Sequence, residues 1–100
     1  MTRRVVWRLS AQQQLAAIYY YISKSATPGI ASRLTDAIEA FCEGLAVFPE
    51  RGLLRDDLRP GLRLVPFRKR VIIAIRVEPN QVSIIGVFYG GQDYESTLAD

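Results

Sequence analysis

The spacing of apolar residues changes along this chain of 100 residues, and each change marks a boundary between predicted elements. Residues Arg4 to Leu9 are rich in β-branched and aromatic side chains, which is typical of a short strand. From there the apolar residues recur at helical spacing, at Ala11, Leu15, Ile18 and Ile22. Ser10 with Gln13 three positions later has the pattern of a capping box, so it predicts the start of a first helix.

A second helix is predicted directly after the first, which should end near Ser25. Thr27 has the character of an N-cap and Pro28 suits the first helical position. One apolar stripe follows, formed by Ile30, Leu34, Ile38, Phe41 and Leu45. This helix should end near Val47, before Pro49. Two helices joined by so short a turn predict an antiparallel hairpin.

The second half of the chain reads as three strands. Leu62 to Phe67 is the first, with Pro66 indicating an edge position or an early end. Val71 to Val77 is almost continuously apolar, as expected of a central strand covered on both faces. A turn precedes the last strand, Val82 to Tyr89, and Gly90-Gly91 stops it. The predicted order is β-α-α-β-β-β: an α+β fold in which the helical hairpin packs on an antiparallel sheet.

Composition limits the class of protein. The length predicts a single domain over residues 1–100, and 49% hydrophobic residues can form a real core. A lone cysteine, Cys42, excludes an internal disulfide and fits a reducing compartment. No apolar run has the ~20 residues that a membrane helix needs, and the N-terminus does not resemble a signal peptide. We therefore expect a cytoplasmic protein with no membrane partner.

Positive charge is concentrated in one segment. Arg51, Arg55, Arg59 and Arg63 follow one another at steps of four in a loop punctuated by proline and glycine. The stretch from Arg51 to Arg76 holds eight basic residues against two acidic ones, a net charge of +6, while the rest of the chain is negative. Such asymmetry favours an anionic partner, either nucleic acid or an acidic protein. A well-solvated arginine-rich face is the plainer alternative.

The residues that are absent restrict the chemistry. The chain has no histidine, so Ser-His-Asp and Cys-His catalysis and His-containing metal sites are excluded. Cys42 lies at the margin of an apolar stripe and is interpreted as a small buried hydrophobe. No glycine-rich phosphate motif is present, and no cofactor or metal is expected. The remaining arginine, lysine and tyrosine side chains, with Glu50, could cleave RNA by holding phosphate and activating a 2′-hydroxyl.

Several segments, in this order and spacing, resemble the ParE toxins of the RelE/ParE superfamily. They are V-V-W before Ser10-Ala11, Y-I at Tyr21-Ile22, F-P-E-R-G at Phe48 to Gly52, R-D-D-L-R-P-G-L-R at Arg55 to Arg63, V-I-I-A-I-R-V at Val71 to Val77, and G-G-Q-D at Gly90 to Asp93. The resemblance covers nearly the whole chain, and the fold of that superfamily is the β-α-α-β-β-β order predicted above. One departure is Phe88-Tyr89, where many ParE relatives carry histidine.

The resemblance implies the toxin of a type II toxin–antitoxin module, of the kind that stabilises plasmids, held inactive by a cognate ParD-like antitoxin. ParE-like toxins poison DNA gyrase, whereas RelE-like relatives cleave mRNA on the ribosome with the same scaffold. A ParE-like reading predicts a binder rather than an enzyme. The ribosome-dependent endoribonuclease is the alternative, and a module that binds only its antitoxin is a third reading.

Particular residues are expected to carry these roles. Target contacts are assigned to Arg63, Arg70, Arg76 and Tyr89 near the C-terminal strands. If the protein is a nuclease, Arg63 and Arg76 would hold the scissile phosphate, and Tyr89 or Glu50 would serve as general base or acid.

The antitoxin is expected to dock on helix 1 and on the arginine-rich loop. At ~100° per residue, Tyr20 points away from the core stripe of helix 1, and an exposed aromatic is a candidate for a partner contact. Together with Arg51, Arg55 and Arg59 it would receive an acidic antitoxin segment that folds on binding and forms a hetero-oligomer. A lone exposed tyrosine is the plain alternative.

Overall fold

The structure is a computed structural model that describes residues 3–99. Its elements are β1 Arg4–Trp7, α1 Leu9–Ser25, α2 Pro28–Gly44, β2 Leu53–Leu54, β3 Leu62–Phe67, β4 Val71–Val77, β5 Gln81–Tyr89 and α3 Tyr94–Leu98. The predicted α+β class is confirmed, and the short elements β2 and α3 are additions to the predicted order. No helix within residues 3–99 is long and apolar enough to cross a membrane.

The five strands form one sheet in the order β1-β5-β4-β3-β2. Strands β3, β4 and β5 are antiparallel neighbours, as the sequence predicted. Strand β1 pairs with β5 in parallel, so the sheet is mixed rather than wholly antiparallel. The helical hairpin follows β1 at one edge of the sheet and leads to β2 at the other edge, so β1 and its parallel neighbour β5 are far apart in the chain rather than joined by a tight turn.

The two helix starts differ in their capping. Thr27 caps α2 as predicted, since its hydroxyl accepts a hydrogen bond from the N–H of Ile30 (3.1 Å). The prediction for α1 is wrong: the helix begins at Leu9, and the cap residue Arg8 makes no side-chain capping bond. Helix α2 ends at Gly44, three residues before the predicted Val47, because residues 45–47 continue as turns.

The helical hairpin covers one face of the sheet and buries the larger apolar cluster. Its buried members are Ala11, Ile18, Ile22, Ala31, Ile38, Cys42, Leu45, Val65, Val71, Ile73, Ile75, Val82, Ile84 and Val87. Cys42 is buried as expected, and burial, with the nearby Glu43 and Glu39, raises its thiol pKa to about 12. Four residues of the predicted apolar stripes are not fully buried: Ile30 is exposed, and Leu15, Leu34 and Phe41 are half-buried. The ring of Phe41 packs against Phe67, with 4.6 Å between ring centroids.

The opposite face of the sheet carries a second apolar cluster, covered by α3. Its buried members are Leu62, Leu64, Ala74, Ile85, Phe88 and Leu98, with Leu58, Ile72 and Tyr94 packed at its margin. Because both faces of the sheet are covered, nearly every residue of β4 is apolar, which explains the continuous apolar run in the sequence. Pro66 lies beyond the end of the two-residue strand β2, so its missing N–H removes no ladder bond on that side.

Strand β5 extends past the end of its neighbour β1, and side chains complete the hydrogen bonding of the exposed edge. Strand β1 pairs only as far as Ile84. Beyond that point Ser10 Oγ donates to the carbonyl of Ile85 (2.9 Å), and Gln14 Oε1 accepts from the N–H of Val87 (2.7 Å). Ser10 therefore bonds to the sheet edge instead of capping α1. The glutamine that makes a structural hydrogen bond is Gln14, not the predicted Gln13.

Replacing Gln14 tests this arrangement. Gln14→Ala leaves the N–H of Val87 without its acceptor, and we expect a loss of about 1–3 kcal/mol in the free energy of unfolding. Gln13→Ala is the matched control, because Gln13 is exposed and should change the value by less than about 0.5 kcal/mol. Urea denaturation of both variants measures the difference. A larger loss of unfolding free energy in Gln13→Ala than in Gln14→Ala would support the predicted capping box and contradict the role of the Gln14–Val87 bond.

Candidate functional site

A cleft of about 460 Å³ lies between α1 and the end of β5. Its lining residues are Gln14, Ala17, Ile18, Tyr21, Arg70, Tyr89, Gly90, Gly91 and Gln92. Three elements meet here: α1, the turn between β3 and β4, and the segment after β5. The lining residues include aromatic, cationic and amide side chains but no carboxylate.

Two tyrosines form the aromatic wall of the cleft. Tyr21 is 62% exposed, and its ring centroid lies 6.1 Å from that of the half-buried Tyr89, with 55° between the ring planes. Tyr89 was predicted as a site residue, whereas Tyr21 was missed in favour of Tyr20. The spacing of Gln14, Ile18 and Tyr21, at steps of four and three along α1, places them on one side of the helix and could have revealed it.

The cationic side of the cleft comes from the turn Arg68 to Arg70. The N–H of Gly90 donates to the carbonyl of Arg70 (2.8 Å), which ties this turn to the end of β5. Arg68 adopts a positive φ of 55°, and its guanidinium lies 5.1 Å from the centroid of the Phe67 ring. Lys69 and Arg70 are exposed. The predicted target residues Arg70 and Tyr89 are therefore brought together.

The other predicted target residues lie elsewhere on the sheet. Tyr89 pairs with Val71, and Arg63 pairs with Ile75, so the two positions are four residues apart along β4, about 13 Å. Arg63 faces the hairpin side, as Tyr89 does. Arg76 pairs with Leu62 and Ser83 and points to the opposite face.

Glu50 is exposed and lines a separate depression with Phe48 and Pro49. It belongs to the segment between α2 and β2, and it is absent from the lining of the cleft. The four residues considered for RNA cleavage, Arg63, Arg76, Tyr89 and Glu50, therefore do not converge on one reacting centre.

Arg76 instead belongs to a polar group on the face opposite the hairpin. Glu78 accepts hydrogen bonds from Ser83 Oγ (2.5 Å) and Gln81 Nε2 (3.3 Å), and Arg8 and Arg76 lie close enough to add attraction. The bond from Ser83, followed by that from Gln81 and the two arginines, holds the pKa of Glu78 below its ordinary value of 4.5. The Nε of Arg76 is buried and has no hydrogen-bond partner among the described residues.

Two of the loop arginines hold the C-terminal helix in place. Arg55 Nη2 contacts the carboxylates of Asp57 (2.8 Å) and Glu95 (2.7 Å), and these bonds, that of Asp57 first, raise the pKa of Arg55. Arg59 Nε donates to the carbonyl of Leu98 (2.7 Å). Both contacts reach across to α3, whose Leu98 is buried in the second apolar cluster. We call Arg55, Arg59 and their α3 contacts the C-terminal clamp.

The residues predicted to bind an antitoxin are divided between the two sides of the sheet. Tyr20 on α1 is 65% exposed, and Arg51 lies over the ring of Phe41 with 5.1 Å to its centroid. Both belong to the hairpin side. Arg55 and Arg59 lie with α3 on the other side. A single partner segment that contacts all four must pass around an edge of the sheet.

The sequence and the fold assign this small α+β protein to the toxins of type II toxin–antitoxin systems. The chain matches the model of the family described as "ParE toxin of type II toxin-antitoxin system, parDE" over residues 5–94. It belongs to this ParE toxin family, as the resemblance predicted. None of the curated proteins compared with the chain matches it.

Two solved structures share the fold. One is from the chromosomal ParDE toxin–antitoxin system of P. aeruginosa, with 19% identity, a TM-score of 0.77, and coverage of 89% of this chain and 97% of that chain. Another is from the toxin–antitoxin complex RelBE2 of Mycobacterium tuberculosis, with 17% identity, a TM-score of 0.66, and coverage of 89% and 99%. At these identities the likeness concerns the fold alone.

The C-terminal clamp can be tested with Arg55→Ala. We expect this change to release α3 from the sheet, because it removes the charged contact with Glu95 while Asp57 belongs to the loop itself. Hydrogen exchange of residues 94–98 should become faster, with the exchange of β4 unchanged. Arg33→Ala on the exposed surface of α2 is the control and should leave α3 protected. Unchanged exchange in Arg55→Ala would show that the contact with Glu95 is not needed to hold the helix, which would leave that role to Arg59 and the burial of Leu98.

The polar group around Glu78 predicts a pH dependence. Because the pKa of Glu78 is lowered on folding, its contribution to stability is present above 4.5 and is lost as the pH falls through the folded value. Glu78→Gln should therefore flatten the fall in the free energy of unfolding between about pH 5 and pH 3. Urea denaturation across that range measures it. Some dependence should remain, since the pKa values of Asp57 and Asp93 are also lowered. Parallel curves for the two proteins would contradict the assignment.

Proposed function

We propose that this ParE-family protein inhibits DNA gyrase by binding to it, without chemistry of its own, and that a ParD-like antitoxin neutralises it in the cytoplasm. The observation that carries the proposal is the distribution of site residues. Contact-forming side chains converge at the cleft, while the residues considered for phosphate holding and proton transfer are dispersed. A binding surface needs contact-forming side chains that lie close together. A catalytic centre needs the residues that hold phosphate and transfer the proton to lie close together.

The target surface is centred on the cleft. Tyr21, Arg70 and Tyr89 supply the aromatic and arginine side chains that dominate the energy of protein interfaces. Arg63 faces the same side of the sheet and extends this surface along β3. Arg76 faces the other way, so it contributes only where the target reaches around the sheet.

The antitoxin contact follows from charge and from the division of the docking residues. An acidic segment that is disordered when free can wrap around a sheet edge and reach both sides. On the hairpin side it would meet Tyr20 and Arg51. On the other side it would compete with Glu95 for Arg55 and with the Leu98 carbonyl for Arg59. The solved relatives named ParDE and RelBE2 support a hetero-oligomer of toxin and antitoxin.

A RelE-like endoribonuclease is the second candidate. It is favoured by one observation, the presence of Arg70 and Tyr89 in the same cleft. A cation to hold phosphate and a hydroxyl to transfer a proton would both be available there. The hydroxyl of Tyr89 therefore separates the two candidates.

A paired assay tests the proposal. The purified toxin should inhibit DNA supercoiling by gyrase, and Tyr89→Phe should retain that inhibition because it preserves the ring and removes only the hydroxyl. A nuclease that used this oxygen would lose roughly 10²–10⁴-fold in rate. Arg70→Gln should weaken inhibition, whereas Arg33→Gln, an exposed arginine of α2, should not. Adding the cognate antitoxin should restore supercoiling.

Two results would contradict the proposal. Supercoiling that is unaffected by the toxin would remove gyrase as the target. Cleavage of ribosome-bound mRNA that disappears in Tyr89→Phe would replace the binding function with that of a RelE-like endoribonuclease.

A further inference from the structure

We propose that the cleft binds one unpaired nucleotide of a single-stranded nucleic acid, with the base against Tyr21 and Tyr89 and the phosphate beside Arg70. The inference goes beyond gyrase inhibition and does not depend on it. It rests on the aromatic wall of the cleft, on the hydrogen-bond donors that face it, and on the charge at its rim.

The aromatic wall has the character of a stacking platform. Tyr21 is 62% exposed although it belongs to a helix that packs on the sheet, so its ring is available to a ligand. Tyr89 lies beside it, and the 55° between the rings leaves an open angle rather than a closed stack. Base–aromatic stacking is the main sequence-tolerant interaction of single-strand binders.

Two glutamines supply donors of fixed direction. Gln14 Oε1 accepts from the N–H of Val87 and Gln92 Oε1 accepts from the N–H of Tyr89, each at 2.7 Å. Each carboxamide oxygen is thereby committed to β5, and within residues 3–99 neither Nε2 has a hydrogen-bond partner. Both residues line the cleft, so these amide groups can donate to the carbonyl oxygens of a base such as thymine or uracil.

The charge at the rim suits a phosphate. Lys69 and Arg70 are exposed at the turn between β3 and β4, and Arg70 lines the cleft itself. The lining residues include no carboxylate that would neutralise this charge. Arg68, stacked over Phe67, stands at the start of the same turn. A cationic turn beside an aromatic wall combines the two components that single-strand binding requires.

A nucleotide fits this cleft better than an added peptide strand does. The edge groups of β5 that a new strand would use, at Ile85, Val87 and Tyr89, are already bonded to side chains. Strand addition would break these bonds, whereas a stacked base leaves them intact. A duplex is also a poorer ligand, because its base faces are covered by neighbouring pairs.

Fluorescence anisotropy with a labelled oligo(dT) strand of about ten nucleotides tests the inference on the intact protein. Tyr21→Ala should weaken binding roughly 10- to 100-fold. Tyr20→Ala is the matched control: the adjacent tyrosine is 65% exposed but does not line the cleft, so its affinity should stay that of the wild type. Arg70→Gln should weaken binding and reduce the salt slope of log K by about 0.7, with Arg33→Gln unchanged.

Two further ligands sharpen the result. A duplex of the same length should bind more weakly than oligo(dT). Oligo(U) separates the sources of the nucleotide: tighter binding of oligo(dT) assigns DNA and tighter binding of oligo(U) assigns RNA, and either supports the inference.

Equal effects of Tyr21→Ala and Tyr20→Ala, or a duplex that binds as tightly as the single strand, would overturn the inference and leave only nonspecific attraction to phosphate. The absence of oligonucleotide binding by the wild type would do the same. Because supercoiling inhibition is measured separately, a failure here is distinguishable from a failure of the gyrase proposal.

Discussion

The arrangement of this protein depends on one constraint: β5 is longer than the strand that pairs with its outer edge. Strand β1 pairs only as far as Ile84, because the chain turns into α1 two residues after Trp7. Beyond Ile84 this edge of β5 has no neighbouring strand, yet Ile85 and Val87 are buried. Their backbone groups need other hydrogen-bond partners, since an unpaired backbone group at a buried position is costly. Ser10 and Gln14, four residues apart on one side of α1, supply them and thereby fix the helix against the sheet. About two turns further along α1, Tyr21 lies beside Tyr89.

The same edge explains why the cleft exists. A strand added beside the end of β5 would fill the space between α1 and the turn at Arg70. Single side chains, those of Ser10, Gln14 and Gln92, bond the edge in place of a strand, and a volume of about 460 Å³ stays open. Gly86 fits this interpretation, because a Cβ there would lie 3.0 Å from Gln14 Oε1 and 2.7 Å from the Phe88 ring. The hydrogen bonding of the sheet and the proposed target site are thus parts of one arrangement.

The arginines of the connector have two different physical roles. Arg55 and Arg59 bind groups of α3 and keep the second apolar cluster covered. The cations at Lys69 and Arg70 stay exposed at the rim of the cleft. In the sequence these residues belong to one basic segment, yet some stabilise the fold and others are available to a partner. Net charge alone cannot distinguish these roles, because it carries no information about which carboxylate or carbonyl lies near each guanidinium.

Local patterns in the sequence determined the two long helices, the Thr27 cap and the three-strand meander, because helical and strand periodicities depend only on neighbours along the chain. The resemblance of several short segments, in their order and spacing, determined the family. The sequence also proposed Arg70 and Tyr89 as contact residues, and the structure places both in one cleft. Only the tertiary structure decided the parallel pairing of β1, the two-residue strand β2, the clamped helix α3 and the role of Ser10, since each depends on groups distant in sequence. The tertiary structure also placed Arg76 and Tyr89 on opposite faces of the sheet, and it placed Tyr21 beside Tyr89. Strand pairing and helix placement, rather than residue type, decide which side chains share a face.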